Sequence, residues 1–162
     1  MNNSKMVNTK YSFGRTVALS FADAIARVTN ALADEGFGIL TDIDVAATIK
    51  KKLDQDMPPY RILGACNPQL AYGAIQRELS IGLLLPCNVV VRQDCAGCVR
   101  VEFMDPDAVL ALVGKPEINQ IAQEVRQRLQ RVMAAMASKS KPQHKLIFPV
   151  KSQQFASAHH GE

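Results

Sequence analysis

The chain has 162 residues, and 48% of them are hydrophobic, which is ordinary for one globular domain with a sizeable core. Its apolar runs are too short to cross a bilayer, so we expect no membrane association. The first ten residues are polar and lack the apolar stretch of a secretory signal, so we expect a cytoplasmic protein with reduced thiols.

The net charge of +4 is carried by the two ends of the chain. Residues 139–162 carry four lysines against one glutamate, and residues 1–10 carry two lysines. Residues 11–138 hold 13 basic and 14 acidic side chains and are nearly neutral. Because nucleic-acid binding needs a clustered basic face, we expect no nucleic-acid partner. These shifts divide the chain into a polar N-terminal extension (1–10), a domain (11–138) and a basic tail (139–162) that we expect to be flexible.

The first half of the domain alternates strand and helix patterns. Residues 11–19 predict a strand, after which Ser20 caps a helix that ends at Gly36. Residues 37–43 predict a second strand, and Asp44 caps a short helix that follows it.

In the middle of the chain, regular secondary structure resumes after two prolines. Pro58 and Pro59 favour an extended entry into a third strand at residues 60–65. Asn67 and Pro68 then begin a helix, because asparagine is a strong N-cap and proline suits the first helical turn. We assign the buried side of this helix to Leu70, Ala74, Ile75 and Leu79.

Two further strands, residues 88–94 and 98–104, flank a predicted two-residue hairpin turn at Ala96-Gly97. Asp105-Pro106 then begins a short helix. The elements together predict an α+β single domain with a largely antiparallel sheet of about five strands and helices packed mainly on one face.

A long C-terminal helix follows Pro116. Arginines at 126, 128 and 131 lie between its apolar positions, and we expect them to face water. The apolar positions recur every three or four residues and form one stripe, Ile118, Ile121, Val125, Leu129, Val132 and Met136.

The residue types present limit which catalytic mechanisms are possible. A Ser-His-Asp or Cys-His nucleophile system built within residues 11–138 is excluded, because that segment has no histidine. A histidine-ligated zinc or haem there is excluded as well, unless the tail or another subunit folds back. Patterns for a P-loop and for GxGxxG are absent. We leave open whether the protein is an enzyme, and the sequence identifies no cofactor. The three histidines all lie in the tail, at His144, His159 and His160.

Two of the four cysteines follow apolar segments and precede an asparagine. Cys66 stands one residue before the Asn67 cap, where helix N–H groups would favour the thiolate and lower the pKa of the thiol. Cys87 follows Pro86 and opens a β-branched strand. Both can instead be small buried hydrophobic residues, which is a common fate of free cysteine.

The other two cysteines, Cys95 and Cys98, form a CxxC motif on the predicted hairpin. The strand–CxxC–helix context of thioredoxin-like proteins is missing, so the pair predicts a strained disulfide, half of a zinc site or unpaired thiols. A four-cysteine metal site would require Cys66 and Cys87 to reach this hairpin.

The stretches "PPYRILGACNPQLAYGAIQRELSIGLLLPCNVVV" and "VRVEFMDPDAVLALV" resemble the family catalogued as domain of unknown function 302. The resemblance covers about residues 11–136 and implies a small α+β domain without an established activity. Cys95, Cys98 and the tail fall outside the family pattern. The family motifs correspond here to Gly64, Cys66, Asn67, Pro68, Ala71, Leu85, Pro86, Cys87, Asn88, Asp105 and Pro106.

The leading hypothesis is a small binding module in which the two Cys-Asn segments meet at one rim of the sheet. It would bind a small ligand, a soft metal or a cofactor, or undergo thiol redox change. The alternative is a structural or protein-interaction domain without a ligand site, in which the final helix or the apolar patch Leu146–Val150 binds a partner or a second copy in a homodimer. The candidate ligand-binding residues are Cys66, Asn67, Pro68, Cys87 and Asn88.

Overall fold

A computed structural model describes residues 5–94 and 96–137. Within them the chain forms six strands, five α-helices and two 3₁₀ segments, Leu79–Leu84 and Ala111–Val113. The strands are β1 Met6–Asn8, β2 Ser12–Val17, β3 Gly38–Asp44, β4 Tyr60–Cys66, β5 Cys87–Gln93 and β6 Val99–Met104. The α-helices are α1 Phe21–Asp34, α2 Val45–Leu53, α3 Pro68–Arg77, α4 Pro106–Leu110 and α5 Pro116–Ala135. In the described part of the chain, no helix combines the length and apolar character needed to cross a membrane.

All six strands form one antiparallel sheet in the order β1-β2-β6-β5-β4-β3. Side chains of β5 and β6 alternate between a buried face and a more exposed one, as expected for strands with one face on the core. Val89 lies opposite Phe103, and Val91 lies opposite Val101. Because these partners are all buried, the apolar residues of neighbouring strands line a single core face.

Helices α1 and α5 complete the main core over this face. α1 begins at the predicted Ser20 cap, whose hydroxyl oxygen accepts a hydrogen bond of 3.1 Å from the Asp23 N–H. α1 packs on β3, β5 and β6, and α5 packs beside α1. The predicted fold class and the long C-terminal helix are therefore confirmed. The buried residues that the two helices contribute include Val28, Leu32, Val125, Leu129 and Val132.

A second and smaller core lies at the N-terminal end of α5. It joins α3, α4, α5 and the Leu79–Leu84 segment. The long helix thus connects two cores, since its first turns bury residues in the small core and its later turns bury residues in the main core. The buried members of the small core are Ala74, Ile81, Leu110, Ile118 and Ala122.

The arginines of α5 lie on its solvent side, Arg131 exposed and Arg126 and Arg128 partly so, and they also make fixed contacts. The guanidinium of Arg131 pairs with the Glu35 carboxylate at 2.8 Å, and Arg128 donates to the Glu35 backbone carbonyl at 3.1 Å. The hydrogen bond from Arg131 lowers the pKa of Glu35. Arg126 pairs with Asp105 at 2.9 Å. The polar side of α5 therefore ties this helix to the end of α1 and to the start of α4.

Two features differ from the expected elements. A sixth strand, β1, forms within the predicted N-terminal extension and pairs with β2. Helix α3 ends at Arg77, because Glu78 adopts an extended backbone with φ −149° and ψ 102°. Leu79 therefore lies on the 3₁₀ segment and is exposed, as is Ile75, so the buried side assigned to α3 was wrong at both positions. The predicted tail, residues 139–162, lies outside the described residues.

Gly64 allows β3, β4 and the segment before β5 to approach closely. A Cβ atom at this position would lie 2.7 Å from Cγ of Pro86 and would collide with Oγ1 of Thr41. The space is therefore already filled by neighbours on both sides of β4. At Gly82, in contrast, the position that a Cβ would occupy is open space, with no atom within 4 Å beyond the glycine's own neighbours in the chain.

We predict that Gly64→Ala lowers the free energy of unfolding by about 1–3 kcal/mol, because the added methyl group must displace Thr41 or Pro86. Urea unfolding followed by circular dichroism measures this change. Gly82→Ala is the matched control, and its free energy of unfolding should stay within about 0.5 kcal/mol of the parent or rise slightly. Equal stability of the two variants would contradict the close packing around Gly64.

Candidate functional site

The two segments that carry the Cys-Asn pairs are neighbours in the sheet. β4 ends at Cys66 and β5 begins at Cys87. Ala65 lies directly opposite Cys87, and Gly64 lies opposite Asn88. The register therefore brings both segments to the same end of the β4–β5 pair.

The two thiols are shielded from water and hold their protons. Cys66 is half-buried, and burial raises the pKa of its thiol. Cys87 is only 6% exposed, and burial, together with the nearby Cys66, raises the pKa of its thiol to about 12. The expected lowering of the Cys66 pKa was therefore wrong. The loss of hydration outweighs the favourable end of the helix, and both groups are neutral thiols at pH 7.

The two asparagines differ in burial and in orientation. Asn67 is 9% exposed, and its Oδ1 accepts a hydrogen bond of 3.1 Å from the Leu70 N–H at the start of α3. Pro68 follows as an exposed first residue of that helix. Asn88 is exposed and points to the opposite face of the sheet from Cys87, since consecutive side chains of a strand alternate. The five candidate residues are thus neighbours in the fold, with Cys87 and Asn88 on opposite faces of the sheet.

Asn67 also packs against the turn that ends α1. Gly36 has φ +83°, a left-handed conformation that glycine adopts without strain. A Cβ at Gly36 would lie 2.9 Å from Nδ2 of Asn67 and 3.5 Å from Nη1 of Arg128. The α1–β3 turn, the start of α3 and the middle of α5 therefore meet at this corner of the domain.

The hairpin between β5 and β6 is closed by Asp94. The Asp94 carboxylate accepts hydrogen bonds from the N–H groups of Ala96 at 3.0 Å and Cys98 at 2.9 Å. Backbone pairing of Asp94 with Cys98 leaves three residues in the loop, one more than the predicted two-residue turn. Cys95 lies outside the described residues, and Cys98 is a free, half-buried thiol.

Cys98 lies at the opposite end of β5 from Cys87. Val99 pairs with Gln93, which is six residues along β5 from Cys87. At about 3.3 Å per residue, this separation is about 20 Å, which is too far for one metal ion to contact both thiols. Among the residues with described positions, no group of three or more His, Cys, Asp or Glu side chains can hold a metal ion.

A surface cleft of about 430 Å³ adjoins Cys98. Thr16, Ser20 and Asp23 contribute polar side chains to its wall. The Ser20 hydroxyl and the Asp23 carboxylate are already bonded to each other at 2.7 Å. Asp23 therefore places its own negative charge at the N-terminal end of α1, where an anionic ligand would otherwise be attracted.

Residues 13–136 match the family model described as Domain of unknown function DUF302. The chain belongs to this family. It is similar to an uncharacterized conserved DUF302 protein from Bacillus stearothermophilus, whose crystal structure has a TM-score of 0.74 and 26% sequence identity and is matched over 79% of this chain and 99% of that one. No curated protein matches the chain. The family resemblance is therefore confirmed.

Several motif residues of this DUF302 domain have a role in packing or capping. Gly64 provides room for Thr41 and Pro86, and Asn67 caps α3. Cys87 is a small core residue opposite Ala65. Each of these positions therefore has a structural role that requires no bound ligand.

The DUF302 domain also exposes an apolar surface that sequence periodicity did not predict. We call it the apolar stripe and define it as four residues along α3 and the following 3₁₀ segment. Leu79 and Leu83 are 84% and 88% exposed. Five of the seven residues from Leu79 to Leu85 are large and apolar, and Ile81 is the fully buried one among them. This excess of large apolar residues was the sequence signal that could have predicted an exposed apolar surface. The members of the apolar stripe are Tyr72, Ile75, Leu79 and Leu83.

We predict that Cys87 makes the domain sensitive to alkali. The unfolded chain loses this thiol proton near pH 9, whereas the folded chain keeps it until about pH 12. The folded state thus binds more protons in this window, so the free energy of unfolding falls as pH rises above about 9.

Urea unfolding between pH 8 and 11 measures this loss for the parent and for Cys87→Ala. The parent should lose stability more steeply than the variant, by up to about 1.4 kcal/mol per pH unit. Because the variant keeps every lysine and tyrosine, a loss of stability that both proteins share comes from groups other than Cys87. Parallel curves would show that Cys87 is not desolvated in the folded chain.

Proposed function

We propose that this DUF302 domain is a protein-interaction module that works through the apolar stripe. The observation that carries the proposal is the exposure of Leu79 and Leu83, two large apolar side chains of one 3₁₀ segment that contribute almost nothing to the packing of the isolated domain. Large apolar patches on soluble domains commonly mark interaction sites.

The energetics support association at this surface. Burying one leucine side chain stabilises a complex by about 1.5–3 kcal/mol. Tyr72, at 64% exposure, adds a ring that can bury apolar area while its hydroxyl stays hydrated. Here that hydroxyl accepts a hydrogen bond of 2.7 Å from the Gln76 side chain on the same helix, which restrains the ring. A restrained side chain loses less conformational entropy when a partner binds.

The charge of Glu78, beside the apolar stripe, is neutralised within the domain. Nζ of Lys115 pairs with the Glu78 carboxylate at 2.9 Å and also donates to the Arg77 carbonyl at 3.0 Å. The hydrogen bond from Lys115 lowers the pKa of Glu78, which keeps this carboxylate ionised. A partner that covers the leucines therefore does not have to desolvate an isolated charge at this point.

We predict that a photo-reactive amino acid placed at Leu83 forms protein–protein adducts in cells after irradiation, because a partner covers this position. The same amino acid at Leu53 is the matched control, since Leu53 is a 62% exposed leucine on α2, outside the apolar stripe. Gel shifts and mass spectrometry detect the adducts. Equal yields at the two positions, or no adduct at Leu83, would contradict an interaction at the stripe.

A soft-metal or redox-active thiol pair is the second candidate function. It is favoured by the closeness of Cys66 and Cys87, which is sufficient for the charge on one thiol to raise the pKa of the other. Burial opposes loss of the two thiol protons. A bound metal ion would favour that loss, because it stabilises the thiolate.

Iodoacetamide labelling resolved by peptide mass spectrometry tests this candidate at pH 7. A bound soft metal predicts that a chelator increases labelling of Cys66 several-fold, whereas neutral packed thiols predict slow labelling with and without chelator. Protein unfolded in urea provides the full-labelling control. Identical slow rates in both native samples would remove the support for a metal at this pair.

A further inference from the structure

We infer that residues 145–148 of the tail add as a further strand to the outer edge of β3, antiparallel to it and within the same chain. β3 lies outside the apolar stripe, so this docking is independent of the proposed interaction function. It would close the longer of the two edges that the sheet leaves open among the described residues.

The outer edge of β3 is a template for strand addition. Within the described part of the chain, β3 pairs with β4 alone, so its outward N–H and C=O groups have no strand beside them. After an irregularity between Ile39 and Thr41, its pairing with β4 is regular over residues 41–44. Leu40 and Ile43 are large apolar side chains exposed on this edge strand. An added strand would cover apolar surface as well as pair the backbone.

The charges of this edge favour a basic strand. Asp42 and Asp44 lie on one face of β3, and Thr41 and Ile43 lie on the other, because side chains of a strand alternate. Arg61 donates two hydrogen bonds to Asp42 and stands 3.8 Å from Asp44, so two carboxylates share one guanidinium. An acidic edge such as β3 of another copy would be repelled, whereas a strand that brings a lysine would be attracted.

The tail contains a segment with the matching alternation. Residues 145–148 read Lys-Leu-Ile-Phe, and Pro149 follows. Proline cannot donate a hydrogen bond to a sheet, so the added strand would end before it. The antiparallel register faces a lysine with a carboxylate and a leucine with an isoleucine, which are favourable pairs across two strands. The facing pairs are Lys145 with Asp44, Leu146 with Ile43, and Phe148 with Thr41.

The chain between α5 and this segment is long enough to reach β3. Arg131 pairs with Glu35, which lies three residues before the start of β3 at Gly38. α5 ends at Ala135, about one helical turn beyond Arg131, so the chain leaves this helix near the α1–β3 turn. An extended chain from residue 135 to residue 145 spans up to about 35 Å. β3 is about 20 Å long, so the tail can pass its far end and return along it.

Amide hydrogen exchange of the full chain, followed by mass spectrometry of the peptide that covers β3, tests the docking. Outward amides of an edge strand exchange quickly unless another strand accepts their hydrogen bonds. Phe148→Glu should raise their exchange rate by about 10-fold or more, because a charge replaces the ring that packs on the edge. Phe155→Glu, in the tail but outside the segment, is the matched control and should leave the rate unchanged. Equal rates in the parent and Phe148→Glu would overturn the docking.

Charge reversal tests the register. Lys145→Glu sets a second carboxylate beside Asp44 and should raise the same exchange rate about fivefold, whereas Lys151→Glu, beyond the paired residues, should change it by less than about twofold. An equal or larger effect of Lys151→Glu overturns the antiparallel register. All four substitutions lie outside residues 13–136, which match the family model, and circular dichroism confirms that each variant is folded.

A photo-reactive amino acid at Ile43 of the full chain identifies the occupant of the edge. The adducts from Leu83 test the apolar stripe separately, so failure of one proposal leaves the other standing. A cross-link from residue 43 to residues 145–148 within one chain supports the inference. An adduct with twice the mass of the chain, or with another protein, assigns the edge to an external strand and overturns the intramolecular docking. Irradiation without any cross-link to the tail overturns it as well.

Discussion

The close contact between β4 and β5 is the constraint on which the rest of the structure depends. Gly64 lets Thr41 and Pro86 approach the strand from either side, and the resulting register sets Ala65 opposite Cys87. Only small side chains fit this position of the sheet. The same packing removes water from Cys87 and raises the pKa of its thiol. The chemistry of the cysteine is therefore a consequence of the sheet geometry, and its neutral thiol acts as a core residue.

A second set of contacts, at the corner where α1, α3 and α5 meet, holds the C-terminal helix on the domain. Glu35 accepts hydrogen bonds from Arg128 and Arg131, so α5 is held against the end of α1 through both a carbonyl and a carboxylate. Asn67 packs beside Gly36 at the same corner and caps α3. The polar groups that a ligand would use are thus engaged in joining three elements. Asn67 therefore has a structural role at the end of the β4 segment.

Sequence reasoning predicted what local chemistry determines. Ser20 and Asn67 cap helices as expected, and the apolar period of α5 gave its buried face. The predictions failed where tertiary packing determines the local structure. Three residues of β1 are too few for a period, and the end of α3 depends on the extended backbone of Glu78. The pKa of Cys66 was missed because hydration depends on neighbours distant in the chain.

The apolar stripe gives the strongest reason to regard association as part of this domain. Periodicity assigns every apolar residue of an amphipathic helix to a core, yet the small core has room for Ala74 and Ile81 and leaves Leu79 and Leu83 in water. Exposed leucines lower solubility and add little to the stability of a monomer. A polar residue would serve a solitary domain better at both positions. The exposure of both leucines is explained when the proposed protein partner covers them.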